Sequence, residues 1–335
     1  MRIGTVCYAT DQGLGILAKD WYDHHIITDV LLFRHGARKN HPEWYPPDTK
    51  MLVDRPFNGP DVDRFVRSVD AMVFFETPFD WDFPAYCRER GVRTVMVPMY
   101  EWFPDSQKHK DLFDKFICPS ALDERYFPGN PVIPPPVDPT KWNLRRFARR
   151  FLHNAGNIGH RWHKGTEQII QAVPHLDDHV DLTIRAQDTS EFRKILRKNS
   201  DVDLSKVKVE LGNRDYATLF TGFDVYVAPE KFNGLSLPLQ EAANHGLAVM
   251  ASDRFPVTTW LPRRCLIPVE RYHEACIGRS YHKFWEAEVR PEEIARCMNE
   301  LAGQDITDLS VANLLWSEEN SWRVVGPRLI KEILS

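Results

Sequence analysis

The chain has 335 residues, which corresponds to about two domains at roughly 150 residues each. Apolar residues make up 43% and charged residues 27%, a composition that excludes disordered, collagen-like and coiled-coil proteins. The formal net charge of −4 excludes a protein with an overall basic field for nucleic acid, although it leaves room for a local basic groove.

The six cysteines are scattered along the chain, and none forms a C-x-x-C motif. In a chain of this length, that distribution favours reduced thiols over a disulfide framework. The first apolar run is too short for a secretory signal, and no stretch approaches the ~18 apolar residues of a membrane span. We therefore expect a cytoplasmic protein without a transmembrane segment, either a monomer or a homodimer.

Short apolar runs alternate with amphipathic stretches, which predicts strands joined by helices in parallel sheets. In the first half we predict strands at 2–8, 29–34, 71–75, 93–97 and 115–118, and helices at 14–24, 62–68 and 83–90. In the second half we predict strands at 150–153, 181–185, 206–211, 225–228 and 248–252, and helices at 165–173, 191–198, 216–221, 239–245 and 291–301.

A proline-rich segment, residues 131–139, separates the two halves and predicts an extended linker, because proline fixes φ and removes a backbone donor. After it, residues 141–164 contain seven basic residues and no acidic one. This run is either a solvated basic face or a segment whose end faces a bound anion. The pattern predicts two doubly wound α/β domains with a ligand site at the carboxyl ends of the strands, in a cleft between them.

Residues 225–242, with the sequence VYVAPEKFNGLSLPLQEA, resemble the donor-site motif of retaining GT-B glycosyltransferases of the large E-x7-E, family 4-like group. In that group a Glu precedes Gly-Phe-Gly-Leu-Pro, and a second Glu opens a helix. Here Gly234, Pro238 and Glu241 match, Asn233 stands in place of the first Glu, and Ser236 replaces the second Gly.

Four more segments are similar to the same family in order and spacing. They are the stretch before the linker (117–138), the Gly…Lys-Gly loop (155–165), the Gly-to-Asp stretch (211–224) and the helix-to-strand step (242–253). The resemblance covers residues 115–255 well and the first third only by pattern. It implies an α/β GT-B fold with two Rossmann-like domains facing each other across a cleft: an acceptor-side domain at 1–138, a donor-binding domain at 139–312, and a C-terminal helix in 313–335 that crosses back to the first domain.

The resemblance also implies a donor site. Backbone N–H groups at a helix N-terminus form a fixed dipole that suits a diphosphate. We expect this role for Gly234, Leu235 and Ser236, just before the helix that Pro238 opens. We expect Glu241 to accept hydrogen bonds from the ribose.

Asn233 is expected to contact the sugar, where its amide offers a donor as well as acceptors but no charge. Lys164 matches the phosphate-binding lysine of the family. The family's arginine falls at Asn157, so Arg161 is expected to replace it. Gly212 and Asn213 are expected on the nucleobase side.

The N-terminal loop 10–15 resembles the family's glycine-rich loop, so Gly13 and Gly15 are expected to approach the donor diphosphate. Glu101 and Glu76 follow predicted strands and are candidate catalytic carboxylates that could polarise an acceptor hydroxyl. The D-x-D at Asp80–Asp82 is a short pattern that arises by chance, so we expect no metal site and no permanently bound cofactor.

The sequence therefore predicts a retaining, metal-independent glycosyltransferase that uses a nucleotide-diphosphate sugar as co-substrate and an unidentified acceptor: a glycan, a small molecule or a modified DNA base. One alternative is transfer to a hydroxylated base in DNA, with the basic and aromatic loop 34–41 gripping the nucleic acid. A second is a binding protein that has lost the reaction, which Asn233 and Asn157 suggest. A third is a nucleotide-sugar isomerase of the same fold.

Overall fold

The computed structural model describes the chain except residues 11–12, 35, 37–38, 55–56, 105, 141, 157–161, 188, 213, 216–217, 235 and 276–282. The described residues form two compact units. Residues 1–136 and 322–335 belong to unit 1, and residues 137–275 and 284–321 belong to unit 2.

Unit 1 is built on a six-stranded parallel sheet with the order β3-β2-β1-β4-β5-β6. Its strands are β1 (Ile3–Cys7), β2 (Asp29–Phe33), β3 (Lys50–Val53), β4 (Ala71–Glu76), β5 (Arg93–Pro98) and β6 (Lys115–Phe116). Its helices are α1 (Gly13–Asp23), α2 (Pro60–Val66), α3 (Phe83–Arg88), α4 (Gln107–Lys110) and α5 (Ala121–Tyr126). The apolar runs of β1 and β2 are buried along their whole length, as helices on both faces of a parallel sheet require.

Unit 2 repeats this arrangement with the order β12-β11-β10-β7-β8-β9. Its strands are β7 (Arg150–Gly156), β8 (Asp181–Ala186), β9 (Lys208–Leu211), β10 (Val225–Ala228), β11 (Ala248–Ser252) and β12 (Leu266–Ile267), followed by an antiparallel pair, β13 (Arg271–Ala275) and β14 (Phe284–Glu288). Its helices are α6 (Thr166–Ala172), α7 (Ser190–Lys198), α8 (Leu237–Asn244), α9 (Pro291–Leu301) and α10 (Thr307–Glu319).

The last helix, α11 (Trp322–Leu334), belongs to the core of unit 1. Trp322 stacks on the His24 ring at 4.3 Å and meets Trp21 edge-on at 6.5 Å. Val325, Leu329 and Ile333 continue the buried face at helical spacing. The chain thus leaves unit 1 after Pro136 and returns to it at Trp322.

The architecture confirms the α/β fold with two Rossmann-like parallel sheets, and each strand predicted from the sequence is present within a few residues. Edge strand β3 and the pair β13–β14 were not predicted. Only β13 is largely exposed; β3 has just three apolar residues, and the mostly buried β14 is interrupted by Glu286 and Glu288, so none of the three has the longer apolar run that marked the other strands. The helix predicted at 216–221 includes residues outside the described part of the chain. Among the helices that the structure describes, none combines the length and hydrophobicity that a bilayer crossing needs.

Candidate functional site

In each unit the strand order reverses between the first and the fourth strand, and the loops at the carboxyl ends of these two strands are the expected ligand-binding loops of such sheets. In unit 2 they are the β7–α6 loop, which contains Lys164, and the β10–α8 loop, which contains Glu230, Asn233 and Ser236. We call these two segments the 157–165 loop and the 229–236 loop. The topology therefore brings together the two segments that the sequence predicted to bind the donor.

A buried cluster of charges connects the two loops. The Lys164 ammonium forms an ion pair with the Glu230 carboxylate, and both side chains are almost completely buried. The other oxygen of Glu230 accepts from Arg254 Nη2 at 3.1 Å, and Arg254 is buried as well. Burial alone would raise the pKa of Glu230, but the two cations outweigh it and hold this pKa at about 2. The cluster is thus ionised and carries one net positive charge.

Arg254 also fixes the backbone of the 229–236 loop. Its Nε donates to the Glu230 carbonyl oxygen at 3.0 Å, and its Nη1 donates to the Asn233 carbonyl oxygen at 2.7 Å. Ser252 Oγ donates to the same Glu230 carbonyl at 2.9 Å. Because Ser252 and Arg254 lie at and just beyond the end of β11, the adjacent strand sets the position of the loop.

A glycine brings the two loops into contact. Gly165, which precedes α6, has a φ of +71°, and a Cβ there would lie 2.2 Å from the Pro229 carbonyl oxygen. A larger residue would need both a left-handed backbone and a displaced neighbour. The approach of Gly165 to Pro229 holds Lys164 beside Glu230.

At the start of α8, Asn233 caps the turn. Its Oδ1 accepts a hydrogen bond from the Ser236 backbone N–H at 2.9 Å, so an amide that was predicted to contact the sugar organises its own loop. Ser236 has a φ of +36°, which is unusual for a residue with a side chain. Its hydroxyl oxygen is buried and has no hydrogen-bond partner among the described residues. Backbone strain and a buried hydroxyl that has no partner among the residues described here therefore fall on one residue at a helix N-terminus.

Among the remaining predicted donor residues of unit 2, the structure describes Glu241 and Gly212, whereas others lie outside the described residues. Glu241 is half-buried on α8, one turn after Ser236. Gly212 follows β9 with a φ of +108°, and its N–H donates to the Ala186 carbonyl oxygen at 3.0 Å. Arg161, Leu235 and Asn213 lie outside the described residues, as does Asn157.

In unit 1 the corresponding loops follow β1 and β4. A Cβ at Gly15 would lie 2.2 Å from the Thr10 carbonyl oxygen, so α1 begins in close contact with the preceding loop, whereas the space around Gly13 is open. The Thr10 hydroxyl is buried without a partner among the described residues. Glu76, the last residue of β4, is half-buried and has a φ of +63°. Glu76 and the Thr10–Gly15 loop therefore lie at the switch point of this sheet.

Glu101 lies farther along the sheet, in the turn after β5, and is half-buried. The Asp80 carboxylate accepts from the backbone N–H groups of Phe57 at 3.0 Å and Asp82 at 3.1 Å, so it organises loop backbone. The described residues contain no group of three or more His, Cys, Asp or Glu side chains that could hold a metal ion.

Sequence reasoning missed Glu230, Arg254 and His153. His153 is buried on β7, where Nδ1 faces the Val227 carbonyl oxygen at 2.8 Å and Nε2 faces the Thr166 hydroxyl at 2.9 Å. Burial lowers the pKa of His153 to about 4, so it is neutral near pH 7. A signal for Glu230 was present, because it closely follows a buried strand, and a carboxylate that is buried there requires a cation.

Residues 149–263 match the family model described as "Glycosyl transferases group 1". This stretch contains Lys164, the 229–236 loop, α8 and Arg254. Over this stretch, unit 2 is therefore similar to the glycosyltransferases of group 1. The match covers less than half of the chain, and no curated protein sequence is significantly similar to it.

Several solved structures share the whole fold. The Anabaena protein Alr3699/HepE, crystallised with UDP and glucose, superposes with a TM-score of 0.71 at 14% identity, over 99% of this chain and 98% of that one. A glycosyltransferase from Rickettsia africae gives a TM-score of 0.69 at 12% identity, over 100% and 98%. The lipopolysaccharide outer core galactosyltransferase WaaB gives 0.64 at 12% identity, over 99% and 98%. These neighbours confirm the GT-B type of fold.

Proposed function

We propose that this protein is a retaining glycosyltransferase that moves a sugar from a nucleotide-diphosphate sugar to an acceptor hydroxyl. The observation that carries the proposal is that the matched segment 149–263 includes both loops at the switch point of unit 2. The neighbour HepE was crystallised with UDP, with glucose and with UDP-glucose, which supports a donor of this class.

The start of α8 suits a diphosphate. The first N–H groups of a helix lack partners within the helix and attract anions. The Ser236 hydroxyl, which is buried at this end of the helix and has no partner among the described residues, would donate to a phosphate oxygen. We propose that backbone N–H groups at Gly234 and Leu235 complete this site, with Arg161 approaching from the 157–165 loop.

Lys164 supplies positive charge to the same site. One of its three N–H bonds is directed at Glu230, which leaves two for an incoming phosphate. Because the cluster of Lys164, Glu230 and Arg254 has a net charge of +1, it attracts the diphosphate without leaving two unpaired cations buried before the donor arrives. We propose that Glu241 binds the ribose hydroxyls, and that Gly212 and Asn213 lie on the side of the nucleobase.

In the proposed reaction, the bond between the anomeric carbon and the leaving phosphate oxygen breaks, and the acceptor oxygen forms a bond on the same face of the sugar. The acceptor proton passes to the leaving diphosphate, whose developing charge the α8 N-terminus and Lys164 stabilise. Glu76 and Glu101 are the proposed carboxylates of unit 1 that polarise the acceptor hydroxyl, and Gly13 and Gly15 let the α1 backbone approach the donor.

A thermal-shift screen against UDP-, GDP-, ADP-, CDP- and TDP-sugars tests donor binding. A donor at about 100 times its Kd should stabilise the protein by about 2.7 kcal/mol. Lys164→Ala and Glu241→Ala should remove the shift caused by the matching donor. Asp80→Ala is the matched control and should keep it. A screen in which no sugar nucleotide stabilises the wild type would overturn the proposal.

A donor-binding protein without transfer is a second candidate. It is favoured by Asn233, whose side-chain oxygen is engaged by the Ser236 N–H where the related enzymes carry a glutamate. The two candidates differ in turnover. A glycosyltransferase should release nucleoside diphosphate with an acceptor or, slowly, with water, whereas the binding protein should show the thermal shift and no release.

A further inference from the structure

Residues 142–150 place apolar and basic side chains together on the surface of unit 2. Trp142, Leu144 and Phe147 are 54%, 38% and 45% exposed. Arg146 and Arg149 are exposed between and beside them, and neither forms an ion pair with a described residue. This stretch is the first part of the basic run seen in the sequence, and the donor site does not use it.

The exposure is a fixed property of the folded unit, because backbone hydrogen bonds hold the inner side of the segment. The Arg145 N–H donates to Ser310 Oγ at 3.0 Å, and the Arg146 carbonyl oxygen accepts from the Ile306 N–H at 2.9 Å. The Ala148 N–H donates to the Gln304 carbonyl oxygen at 3.1 Å. With its inner edge occupied, the segment cannot turn its large apolar side chains into the core.

The apolar surface continues onto α10. Phe147 pairs with Asp305 in an isolated bridge, and from there a shallow groove leads along the helix. Its lining residues are Asp305, Thr307, Asp308, Val311, Ala312 and Leu315. The two acidic residues have partners: Asp305 accepts from the Thr307 N–H at 2.8 Å, and Asp308 pairs with Arg264 at 3.4 Å.

We propose that this surface, defined by Trp142, Leu144, Arg146, Phe147 and Arg149, docks on an anionic lipid bilayer. Apolar side chains beside arginines match a membrane interface, where rings enter the headgroup region and guanidinium groups meet lipid phosphates. A duplex nucleic acid, whose bases are already stacked and paired, would use the arginines but leave Trp142, Leu144 and Phe147 without an apolar environment. This proposal does not depend on the donor-site assignment.

Vesicle co-sedimentation tests the proposal with the full chain. The wild type should bind vesicles that contain about 30% phosphatidylserine in phosphatidylcholine at low salt. It should bind pure phosphatidylcholine weakly, and about 0.5 M salt should reduce binding to the charged vesicles. The double variant R146Q/R149Q should lose about 25-fold in affinity, at about five-fold for each arginine. The double variant W142S/F147S should lose at least about ten-fold, because two apolar side chains no longer enter the interface.

Matched controls exist in the chain. R64Q/R67Q changes the same charge on α2 and at the residue that follows it, and W285S removes an even more exposed tryptophan from β14. Both should bind like the wild type, and all variants should keep the wild-type thermal midpoint. Three results would overturn the proposal: no binding to the anionic vesicles, equal binding to neutral ones, or loss in R146Q/R149Q but not in W142S/F147S, which would show a general polyanion surface.

Discussion

The two units have the same strand order, but their central loops are held in different ways. In unit 2 the loops after β7 and β10 are joined by three buried charged side chains, Lys164, Glu230 and Arg254. In unit 1 the features described at the corresponding loops belong to the backbone. Gly15 lies against Thr10, and Glu76 ends β4 with a left-handed φ. The comparison shows that the same topology can hold its central loops in two ways. In unit 2, buried charged side chains join the loops, whereas in unit 1 a carboxylate residue with a strained backbone ends the strand.

The largest expected effect comes from breaking the charge cluster. Glu230→Ala leaves Lys164 and Arg254 buried without their carboxylate and should lower the free energy of unfolding by about 3–5 kcal/mol. Urea denaturation followed by tryptophan fluorescence measures the loss. Glu191→Ala is the control, because Glu191 pairs with Lys194 on the surface, and it should change stability by less than about 0.5 kcal/mol. Equal losses in the two variants would show that the cluster does not hold the unit together.

The contributions of the two units to stability should depend on pH in opposite ways. Burial lowers the pKa of His153 in unit 2 from 6.5 to about 4, so the unfolded chain binds the proton first, and stability falls as the pH drops from about 6.5 to 4. The full loss is about 3 kcal/mol, because a pKa difference of one between the folded and unfolded chain corresponds to about 1.36 kcal/mol. In unit 1, burial raises the pKa of Asp123 from 3.8 to about 6. The stabilisation that Asp123 provides therefore has the opposite pH dependence: it is present below pH 3.8 and disappears as the pH rises through 6.

Urea midpoints measured between about pH 4 and 7 test this contrast. His153→Gln should reduce the loss of stability as the pH falls. Asp123→Asn should remove the gain in stability that protonation of Asp123 provides as the pH falls. If His153→Gln has the same pH profile as the wild type, the buried imidazole does not titrate as described.

The contact between loops in unit 2 should also depend on Gly165. Gly165→Ala adds a Cβ against the Pro229 carbonyl oxygen in a left-handed backbone and should cost ~2–3 kcal/mol. Gly222→Ala provides the matched control, because Gly222 has a φ of +88° but no atom within 4 Å of the added Cβ. It should cost only ~1 kcal/mol by the same denaturation assay. A smaller loss at Gly165 than at Gly222 would contradict the close approach.

The smallest change in stability, and the most informative variant for function, is expected at Ser236. Ser236→Gly should relieve the left-handed strain and stabilise the free protein by up to ~1 kcal/mol. Because it removes the hydroxyl, it should at the same time weaken donor binding. Ser236→Ala removes the hydroxyl but keeps the strain, so it should weaken binding without the gain. Tight donor binding by both variants would show that this hydroxyl does not contact the donor.

The buried strands and the position of the 229–236 loop were predictable because apolar runs and a distinctive motif encode them locally. The partners of Lys164 were not predictable in this way. Glu230 and Arg254 come from loops after two adjacent strands, and only the folded sheet brings them to Lys164. The capping role of Asn233 was missed for a related reason, since its side-chain Oδ1 meets the Ser236 N–H, three residues later, only in the folded turn. Strands β3, β13 and β14 gave no comparable signal, because their apolar stretches are short or interrupted by charged residues.

The return of the chain to unit 1 through α11 has a consequence for engineering. Val137 and Ser321 pair in a parallel bridge, and the Val137 N–H donates to the Asn320 carbonyl oxygen at 3.0 Å. The first and last residues of unit 2 are therefore neighbours, as the ends of a domain inserted into another domain must be. A short peptide linker between residues 137 and 321 would close it into a ring. New termini could then be opened in an exposed loop far from the 229–236 loop.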